Sequence, residues 1–209
     1  MSLFAKEGKK TRRIVAYLRK RARTRPRERA SLDGKSWPAL TRKRAIVFTD
    51  TADFTVRTLR DGILHFLMGF DRAVRALRPV VRKHGGTVVK IEGDSLLLTF
   101  GDARAACGAV LALDASLQRF NRRRPENERY RFSYGIGCGD LIEVDGDVFG
   151  LEVNMASKLG EDLARPGEAL LTPAAAAALD RRSLRRVRPY RVVTFKKMAI
   201  PIQQLRLTR

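Results

Sequence analysis

The chain has 209 residues, with 43 lysines and arginines against 22 aspartates and glutamates, which gives a formal net charge of +21. Its 44% hydrophobic residues are enough for a folded core, which excludes a disordered or collagen-like chain. No apolar run approaches the roughly 20 residues of a membrane helix, and the first residues lack the apolar stretch of a secretory signal. The two cysteines are too few for a disulfide scaffold, so we expect a cytoplasmic protein.

The basic residues are concentrated at the start of the chain. Residues 1–44 hold 16 basic and 3 acidic side chains, and the remainder holds 27 and 19. This predicts a basic N-terminal tail over residues 1–43 and a main domain over residues 44–209. Within the tail, residues 10–23 have helical spacing, whereas residues 25–27 and 32–38 carry turn chemistry rather than periodicity. Such a tail could bind nucleic acid or an anionic membrane surface, or could pack on its own domain or on a second subunit.

The main domain alternates strand-like and helix-like segments. Apolar β-branched runs predict strands, and apolar positions three and four residues apart predict amphipathic helices. Their order, β-α-β-β-α-β with additions, predicts an α+β fold: a ferredoxin-like sandwich with additional C-terminal strands. The predicted elements are a strand at 45–49, one long helix or two over 55–83, a hairpin of 87–91 and 95–100, a helix at 103–122, strands at 132–137 and 141–144, a helix at about 150–163, a strand at 169–171, a small helix at 174–179, and strands at 190–195 and 201–207.

Two aspartates stand at the ends of predicted strands. Asp50 ends the first strand, and Asp94 lies in the turn of the hairpin. A ferredoxin-like order places the first strand beside the hairpin, which brings the two carboxylates together. Two neighbouring carboxylates repel each other, and a divalent cation between them would relieve that repulsion. An aspartate in a turn also commonly caps the turn, so either residue alone would favour a structural role.

Three segments in this order make the chain similar to a known family. FTDTADFT, GGTVVKIEGDSLLLTF and DVFGLEVNMASKL resemble motifs of the catalytic domain of class III nucleotidyl cyclases. The resemblance covers roughly residues 44–207 and leaves out the tail. It implies a lyase that converts ATP to 3′,5′-cyclic AMP and pyrophosphate with two Mg²⁺ or Mn²⁺ ions per site. The site residues that it implies are Asp50, Thr51 (through its carbonyl) and Asp94 for the metals, Phe54, Thr55, Lys90, Asp147 and Lys196 for the substrate, and Asn154 and Lys158 for catalysis.

The resemblance also indicates the base and the assembly. Lys90 and Asp147 match the pair that contacts the purine edge, and a lysine donor with an aspartate acceptor suits adenine. The family builds its site across a head-to-tail dimer, with the metals bound by one chain and the base-reading residues supplied by the other. Because one chain carries both sets, the resemblance implies a homodimer with two equivalent sites.

Two positions depart from the family pattern. Lys158 stands where the family usually has a transition-state arginine, and lysine lacks the fork of donors that spans two phosphoryl oxygens. Asp53 stands where a glycine is usual, beside the metal loop. These departures leave two alternatives open: a catalytically degenerate module that binds nucleotide and regulates, or a cyclase for another nucleotide. The tail leaves a third, a nucleic-acid-binding protein.

Overall fold

The computed structural model describes residues 8–195 and 198–207, and the described chain forms eight α-helices and eight β-strands. The helices are α1 Lys9–Arg23, α2 Pro26–Leu40, α3 Phe54–Asp61, α4 Ile63–Lys83, α5 Ala103–Asn121, α6 Leu151–Lys158, α7 Pro173–Ala177 and α8 Arg181–Leu184. The strands are β1 Arg42–Thr51, β2 Thr87–Glu92, β3 Ser95–Phe100, β4 Phe132–Val144, β5 Asp147–Phe149, β6 Ala169–Leu171, β7 Val187–Phe195 and β8 Met198–Leu205. In the described ranges no helix is both long and apolar enough to cross a bilayer.

The strands form one mixed sheet in the order β2-β3-β1-β4-β6-β8-β7, and β5 pairs with β4 outside this path. The first four strands in this order are the β-α-β-β-α-β core that the sequence predicts, and the last three are the predicted additions. The pairs are antiparallel except β4 with β6, which is parallel. The α+β ferredoxin-like prediction is therefore confirmed.

Alternate residues of the central strands pack into separate cores on the two faces of the sheet. On one face, Ala45 and Val47 of β1 lie in the main core with side chains of α4 and α5. On the other face, Ile46 and Phe48 pack with Ala156 of α6. Because successive residues of β1 are buried on opposite faces of the sheet, its sequence is a continuous apolar run rather than an alternation of apolar and polar residues.

Several predicted elements differ in detail. The 55–83 segment forms two helices, because Gly62 has φ +82° and ends α3. The two strands predicted at 132–137 and 141–144 are one continuous strand, β4, and β5 was not predicted. Within the helix predicted at about 150–163, the α-helical part ends at Lys158, and one turn of π-helix, called the π-turn below, follows over Leu159–Leu163.

The prediction of turns at residues 25–27 and 32–38 is wrong, because the helix α2 runs from Pro26 to Leu40. Pro26 stands in the first helical turn, where its missing N–H costs no hydrogen bond. α1 and α2 form a helical hairpin: Arg21 donates two hydrogen bonds to Asp33, at 2.8 and 3.0 Å, and the hydroxyl of Tyr17 donates to the same carboxylate. Contacts between the helices, rather than local propensity, thus account for α2.

The helical hairpin packs against the end of β4 and the β4–β5 turn. Thr11 Oγ1 donates to Asp145 Oδ1 at 2.7 Å, and Lys10 Nζ lies 2.6 Å from Glu143 Oε2. From α2, the Trp37 indole donates to Asp140 at 3.1 Å. The described part of the tail therefore contacts its own main domain. Binding of the tail to a membrane or to nucleic acid stays a prediction.

Candidate functional site

The two predicted metal-binding aspartates lie at one edge of the sheet. Asp50 is the second-last residue of β1, and Asp94 lies in the β2–β3 turn beside it. The Thr51 hydroxyl donates to the Asp94 carbonyl at 2.7 Å, which ties the end of β1 to this turn. The Ser95 hydroxyl donates to Asp50 Oδ1 at 3.4 Å. The structure thus brings together Asp50, Thr51 and Asp94, as the sequence predicts.

The electrostatics of this edge fit a cation. Burial, with the negative charges of Asp94 and Glu161, raises the pKa of Asp50 to about 6. Burial, with the charge of Glu161, also raises the pKa of Asp94. A raised carboxyl pKa means that the negative form is poorly stabilised by the protein itself. In the described residues no three His, Cys, Asp or Glu side chains are grouped so that they could hold a metal ion. The ligand set of two aspartates and a backbone carbonyl is the one that the resemblance implies.

Glu161 is a nearby acidic residue that the sequence did not single out. It lies in the π-turn after α6 and accepts a hydrogen bond from Ser157 at 2.7 Å. The π-turn packs closely against β1: a Cβ atom added at Gly160 would lie only 2.9 Å from the Phe48 carbonyl oxygen. No sequence signal revealed this approach, since π-turns have no local signature as distinct as a cap or a proline.

The loop between β1 and α3 ends in an unusual backbone conformation. Asp53, the residue before α3, has φ +64°, in the left-handed region that favours glycine. This conformation explains physically why a glycine is expected at this position. The Asp53 carboxylate lies 3.8 Å from a guanidinium nitrogen of Arg131, so a cation offsets part of its charge. Phe54 and Thr55 follow in the first turn of α3, and the Phe54 ring packs edge-on against Phe66 with centroids 4.8 Å apart.

The predicted base-reading residues contact each other directly. Lys90 of β2 lies 2.9 Å from Asp147 of β5, and 3.2 Å from Glu92. The hydrogen bond to Asp147 raises the pKa of Lys90, so the lysine is charged at neutral pH. These residues are 57 positions apart in the chain, and the fold nevertheless places their polar atoms side by side. A cavity of about 720 Å³ borders Asp147 and extends between the start of α1, β2 and the β4–β5 hairpin.

The helix α6 carries both predicted catalytic residues on its exposed side. Asn154 and Lys158 are four residues apart, so they share one face of the helix. The Lys158 ammonium contacts the Asp162 carboxylate one turn further on, and this contact raises the pKa of Lys158. Lys196, the predicted phosphate-binding lysine, lies outside the described residues.

A stripe of glycines on β4 sets the position of α6. Gly135, Gly137 and Gly139 alternate along the strand, so their missing side chains lie on one face. A Cβ on Gly135 would come within 1.9 Å of the Ala156 carbonyl oxygen, and one on Gly137 within 2.5 Å of the Glu152 carbonyl oxygen. The alternation of glycines in the sequence was the available signal for this close approach.

Glu152 fastens α6 to the sheet. Its carboxylate accepts hydrogen bonds from the Cys138 backbone N–H at 3.0 Å and from the Thr172 hydroxyl at 2.6 Å. The sequence did not identify Glu152 as a positioning residue, because its partners come from distant parts of the chain.

Known proteins share sequence and fold with this chain. No family model matches the chain. Over 126 residues it is 33% identical to the Rhizobium meliloti (strain 1021) protein named "Putative adenylate cyclase 3", and this match covers 60% of the chain and 21% of that protein. It is 27% identical over 136 residues to the serine/threonine-protein kinase pkn2 of Myxococcus xanthus, a match that covers 65% of the chain and 16% of the kinase. The chain therefore spans about a fifth of the length of these curated relatives.

Solved structures define the class. The adenylate/guanylate cyclase/hydrolase from Silicibacter pomeroyi superposes with a TM-score of 0.67 at 27% identity, over 79% of this chain and 96% of that one. Other neighbours, which share 16–21% identity and show the fold alone, include both adenylyl and guanylyl cyclases. The chain has the catalytic-domain fold of the class III adenylate and guanylate cyclases, which confirms the resemblance.

Proposed function

We propose that this chain is an adenylate cyclase domain that converts ATP to 3′,5′-cyclic AMP and pyrophosphate. In this reaction the ribose 3′-oxygen bonds to the α-phosphorus, the bond from that phosphorus to the pyrophosphate oxygen breaks, and the 3′-hydroxyl loses its proton. The observation that carries the proposal is the pair Asp50 and Asp94, placed together at the edge of the sheet with raised carboxyl pKa values. Two half-buried carboxylates close to the start of α3 fit a site for the metal-bound triphosphate.

The residues present fit Mg²⁺ or Mn²⁺. Two carboxylates and a backbone carbonyl offer the oxygen ligands that these ions prefer, so Asp50, Asp94 and the Thr51 carbonyl would hold two ions. Bound there, the ions would favour ionisation of the 3′-hydroxyl and reduce the negative charge on the leaving pyrophosphate. The Thr51–Asp94 hydrogen bond fixes the spacing of the ligands before substrate arrives.

The Lys90–Asp147 pair supports adenine over guanine. A charged lysine donates to N1 of adenine, and an aspartate carboxylate accepts from the 6-amino group. Guanine presents a donor at N1 and an acceptor at O6, which is the opposite pattern. The pair is already assembled in the free protein, at 2.9 Å, so its orientation requires little rearrangement on binding.

Two residues of α6 would act on the reacting groups. Asn154 would orient the ribose, and Lys158 would stabilise the charge that develops on the phosphoryl oxygens in the transition state. The backbone N–H groups of Phe54 and Thr55, in the first turn of α3, would bind phosphate oxygens. Lys196 is proposed from the resemblance alone to hold the terminal phosphates.

The site would be shared between two chains. Asp50 and Asp94 of one chain would face Lys90, Asp147, Asn154 and Lys158 of a second copy, and a two-fold axis would generate two equivalent sites. This arrangement follows from the resemblance, together with the exposure of Asn154 and Lys158 on the open side of α6.

Product analysis tests the proposal. The purified protein is incubated with Mn²⁺ and each of ATP, GTP, CTP and UTP, and cyclic products are separated chromatographically. We expect cyclic AMP from ATP, its loss in Asp94→Ala, and its retention in the matched control Asp71→Ala, which changes an exposed aspartate of α4. A different cyclic nucleotide would overturn the base assignment, and Lys90→Ala should alter selectivity if the assignment is right.

The contact between Lys158 and Asp162 favours a second candidate, a cyclase-like module that binds nucleotide without turning it over. Here the ammonium already has a carboxylate partner and lacks the donor fork of arginine. Nucleotide binding by calorimetry without any cyclic product, together with activity gained in Lys158→Arg, would support this candidate over the enzyme.

A further inference from the structure

An apolar surface on α3 and α4 is exposed to solvent. We call it the apolar corner, and it comprises the side chains of Val56, Leu59, Ile63, Leu64, Leu67 and Met68. Leu59 and Leu64 are 82% and 80% exposed, and the other four are 42–61% exposed. All six fall within residues 56–68, where the chain turns from one helix to the next. Scattered single apolar residues on a surface are ordinary, but six exposed apolar side chains on two consecutive helices are typical of an interaction site.

The apolar corner is not a poorly buried part of the core. Phe66 and Phe70 of α4 point inward and are almost fully buried, so the helix already supplies its core face. On α3 the usual pattern is inverted, because Arg57 is buried while Val56 and Leu59 face solvent. The Arg57 guanidinium stacks over the Tyr130 ring at 4.1 Å and the Phe66 ring at 5.2 Å. A helix that buries its arginine and exposes its leucine requires an explanation outside the fold.

Arginine-rich segments flank the apolar corner on both sides. On one side lies the segment 119–131, with six arginines and two glutamates. It is joined to the two helices that carry the corner by three contacts: Arg57 Nη1 to the Arg129 carbonyl at 3.3 Å, Arg60 Nη2 to the Asn127 carbonyl at 3.2 Å, and the Tyr130 hydroxyl to the Phe66 carbonyl at 2.9 Å. On the other side, the exposed face of α4 continues beyond Met68 with Arg72, Arg75, Arg78 and Arg82 against Asp71.

From this arrangement we infer that the apolar corner docks on an anionic lipid bilayer. The aliphatic side chains would enter the boundary between headgroups and acyl chains, and the flanking arginines would contact lipid phosphates. An anionic bilayer offers both matching components: its acyl chains suit the aliphatic centre, and its phosphate groups suit the basic rim. This inference does not rest on the cyclase activity, because none of the six side chains of the corner is assigned to the metals, the base or the phosphates.

The chemistry of the corner disfavours other occupants. In a self-complementary contact the basic rims of two copies would be brought together, and their charges would repel. Binding of single-stranded nucleic acid depends on exposed aromatic rings on which bases stack, and the six side chains of the corner are all aliphatic. A lipid surface satisfies both the apolar centre and the positive rim.

Vesicle sedimentation tests the inference. The full chain is mixed with neutral phosphatidylcholine vesicles, or with vesicles that contain about 30% of an anionic phospholipid, and bound protein is measured over a range of salt. The test variant is Leu59→Glu/Leu64→Glu. The control is Val192→Glu on β7, which places one glutamate outside the corner, at a valine that is 65% exposed. A second comparison is Arg12→Gln/Arg13→Gln, which removes two charges from the basic tail. Melting temperatures verify that each variant is folded.

We expect binding to anionic but not to neutral vesicles, weakened by at least about tenfold in Leu59→Glu/Leu64→Glu and little changed in Val192→Glu. Absence of binding to anionic vesicles would overturn the inference. Equal binding by the wild type and Leu59→Glu/Leu64→Glu, with loss in Arg12→Gln/Arg13→Gln, would overturn it in favour of the tail. Self-association in sedimentation velocity that this double glutamate variant abolishes, without lipid binding, would overturn it in favour of a second copy. Cyclic AMP formation in solution is a separate readout, so failure of either proposal can be recognised independently.

Discussion

At the scale of single residues, Asp50 has a charge that the free protein stabilises poorly. Burial, with Asp94 and Glu161 nearby, raises its pKa from 3.8 to about 6. The folded protein therefore holds a proton at Asp50 more tightly than the unfolded chain does. As the pH rises from 3.8 to about 6, ionisation of Asp50 therefore lowers the free energy of unfolding, and this destabilisation persists at higher pH.

Removing this charge should stabilise the metal-free protein. In chelator at about pH 7.5, Asp50→Asn is expected to melt at a higher temperature than the wild type, and the difference should vanish near pH 4. Added Mn²⁺ should raise the melting temperature of the wild type and not of the variant, because a ligand of the folded state stabilises it. Thermal melts followed by circular dichroism measure both effects, with Asp71→Asn as control. A variant less stable than the wild type in chelator would show that Asp50 has a stabilising partner.

Lys158 should limit the rate rather than the binding of substrate. Its ammonium contacts Asp162 in the free protein, and it lacks the planar two-nitrogen fork with which an arginine bridges two phosphoryl oxygens. We expect Lys158→Arg to raise kcat by up to about tenfold and Lys158→Ala to lower it by about 10²-fold or more, with little change in KM for ATP. Steady-state kinetics measure these values. A wild-type kcat in Lys158→Ala would remove this residue from the mechanism.

At the scale of elements, the fit between α6 and β4 places the catalytic residues. The glycine stripe lets the helix backbone touch the strand, and Glu152 bonds the helix to the Cys138 N–H and the Thr172 hydroxyl. Asn154 and Lys158 are therefore held by a strand that carries no predicted site residue itself.

A methyl group at Gly135 should displace α6. Its Cβ would lie 1.9 Å from the Ala156 carbonyl oxygen and 2.6 Å from the Gly160 nitrogen, both of them backbone atoms. Gly135→Ala is expected to lower the free energy of unfolding by about 3 kcal/mol and to abolish cyclic AMP formation. Urea unfolding and product analysis measure the two effects. Gly101→Ala is the matched control, since no atom lies within 4 Å of a Cβ there. A stable, active Gly135→Ala variant would contradict the role given to the stripe.

The elements also show what sequence patterns can and cannot predict. The order of strands and helices in the main domain follows from periodicity, because β1, β3, α4 and α5 bury their apolar residues at regular spacing. α2 was not predicted, because it is stabilised by tertiary contacts of Asp33 with Arg21 and of Trp37 with Asp140. In the site, the predicted order of the strands was sufficient to place Asp50 beside Asp94, and the resemblance to the cyclases indicated the pair Lys90 and Asp147. The contacts of Glu161, Glu152 and Asp162 with the site arise from a π-turn and from tertiary packing, which leave little local signal.

At the scale of the whole molecule, the proposed activity requires two chains. One chain carries the proposed metal-binding aspartates and also the proposed base-reading and catalytic residues, and the resemblance divides these sets between partners. The two sets can therefore be inactivated separately: Asp94→Ala removes a metal ligand, and Asn154→Ala removes the group that orients the ribose.

Complementation between these two variants is the most direct measurement of the central claim. Each variant alone should form no cyclic AMP from ATP. When they are co-expressed with different affinity tags, random pairing gives mixed dimers with one intact site, and activity should return to about a quarter of the wild-type value per chain. If the wild type is active and the purified mixed dimers remain inactive, each site is built within one chain and the shared site is wrong. If the wild type forms no cyclic nucleotide under the same conditions, the enzyme assignment itself is contradicted.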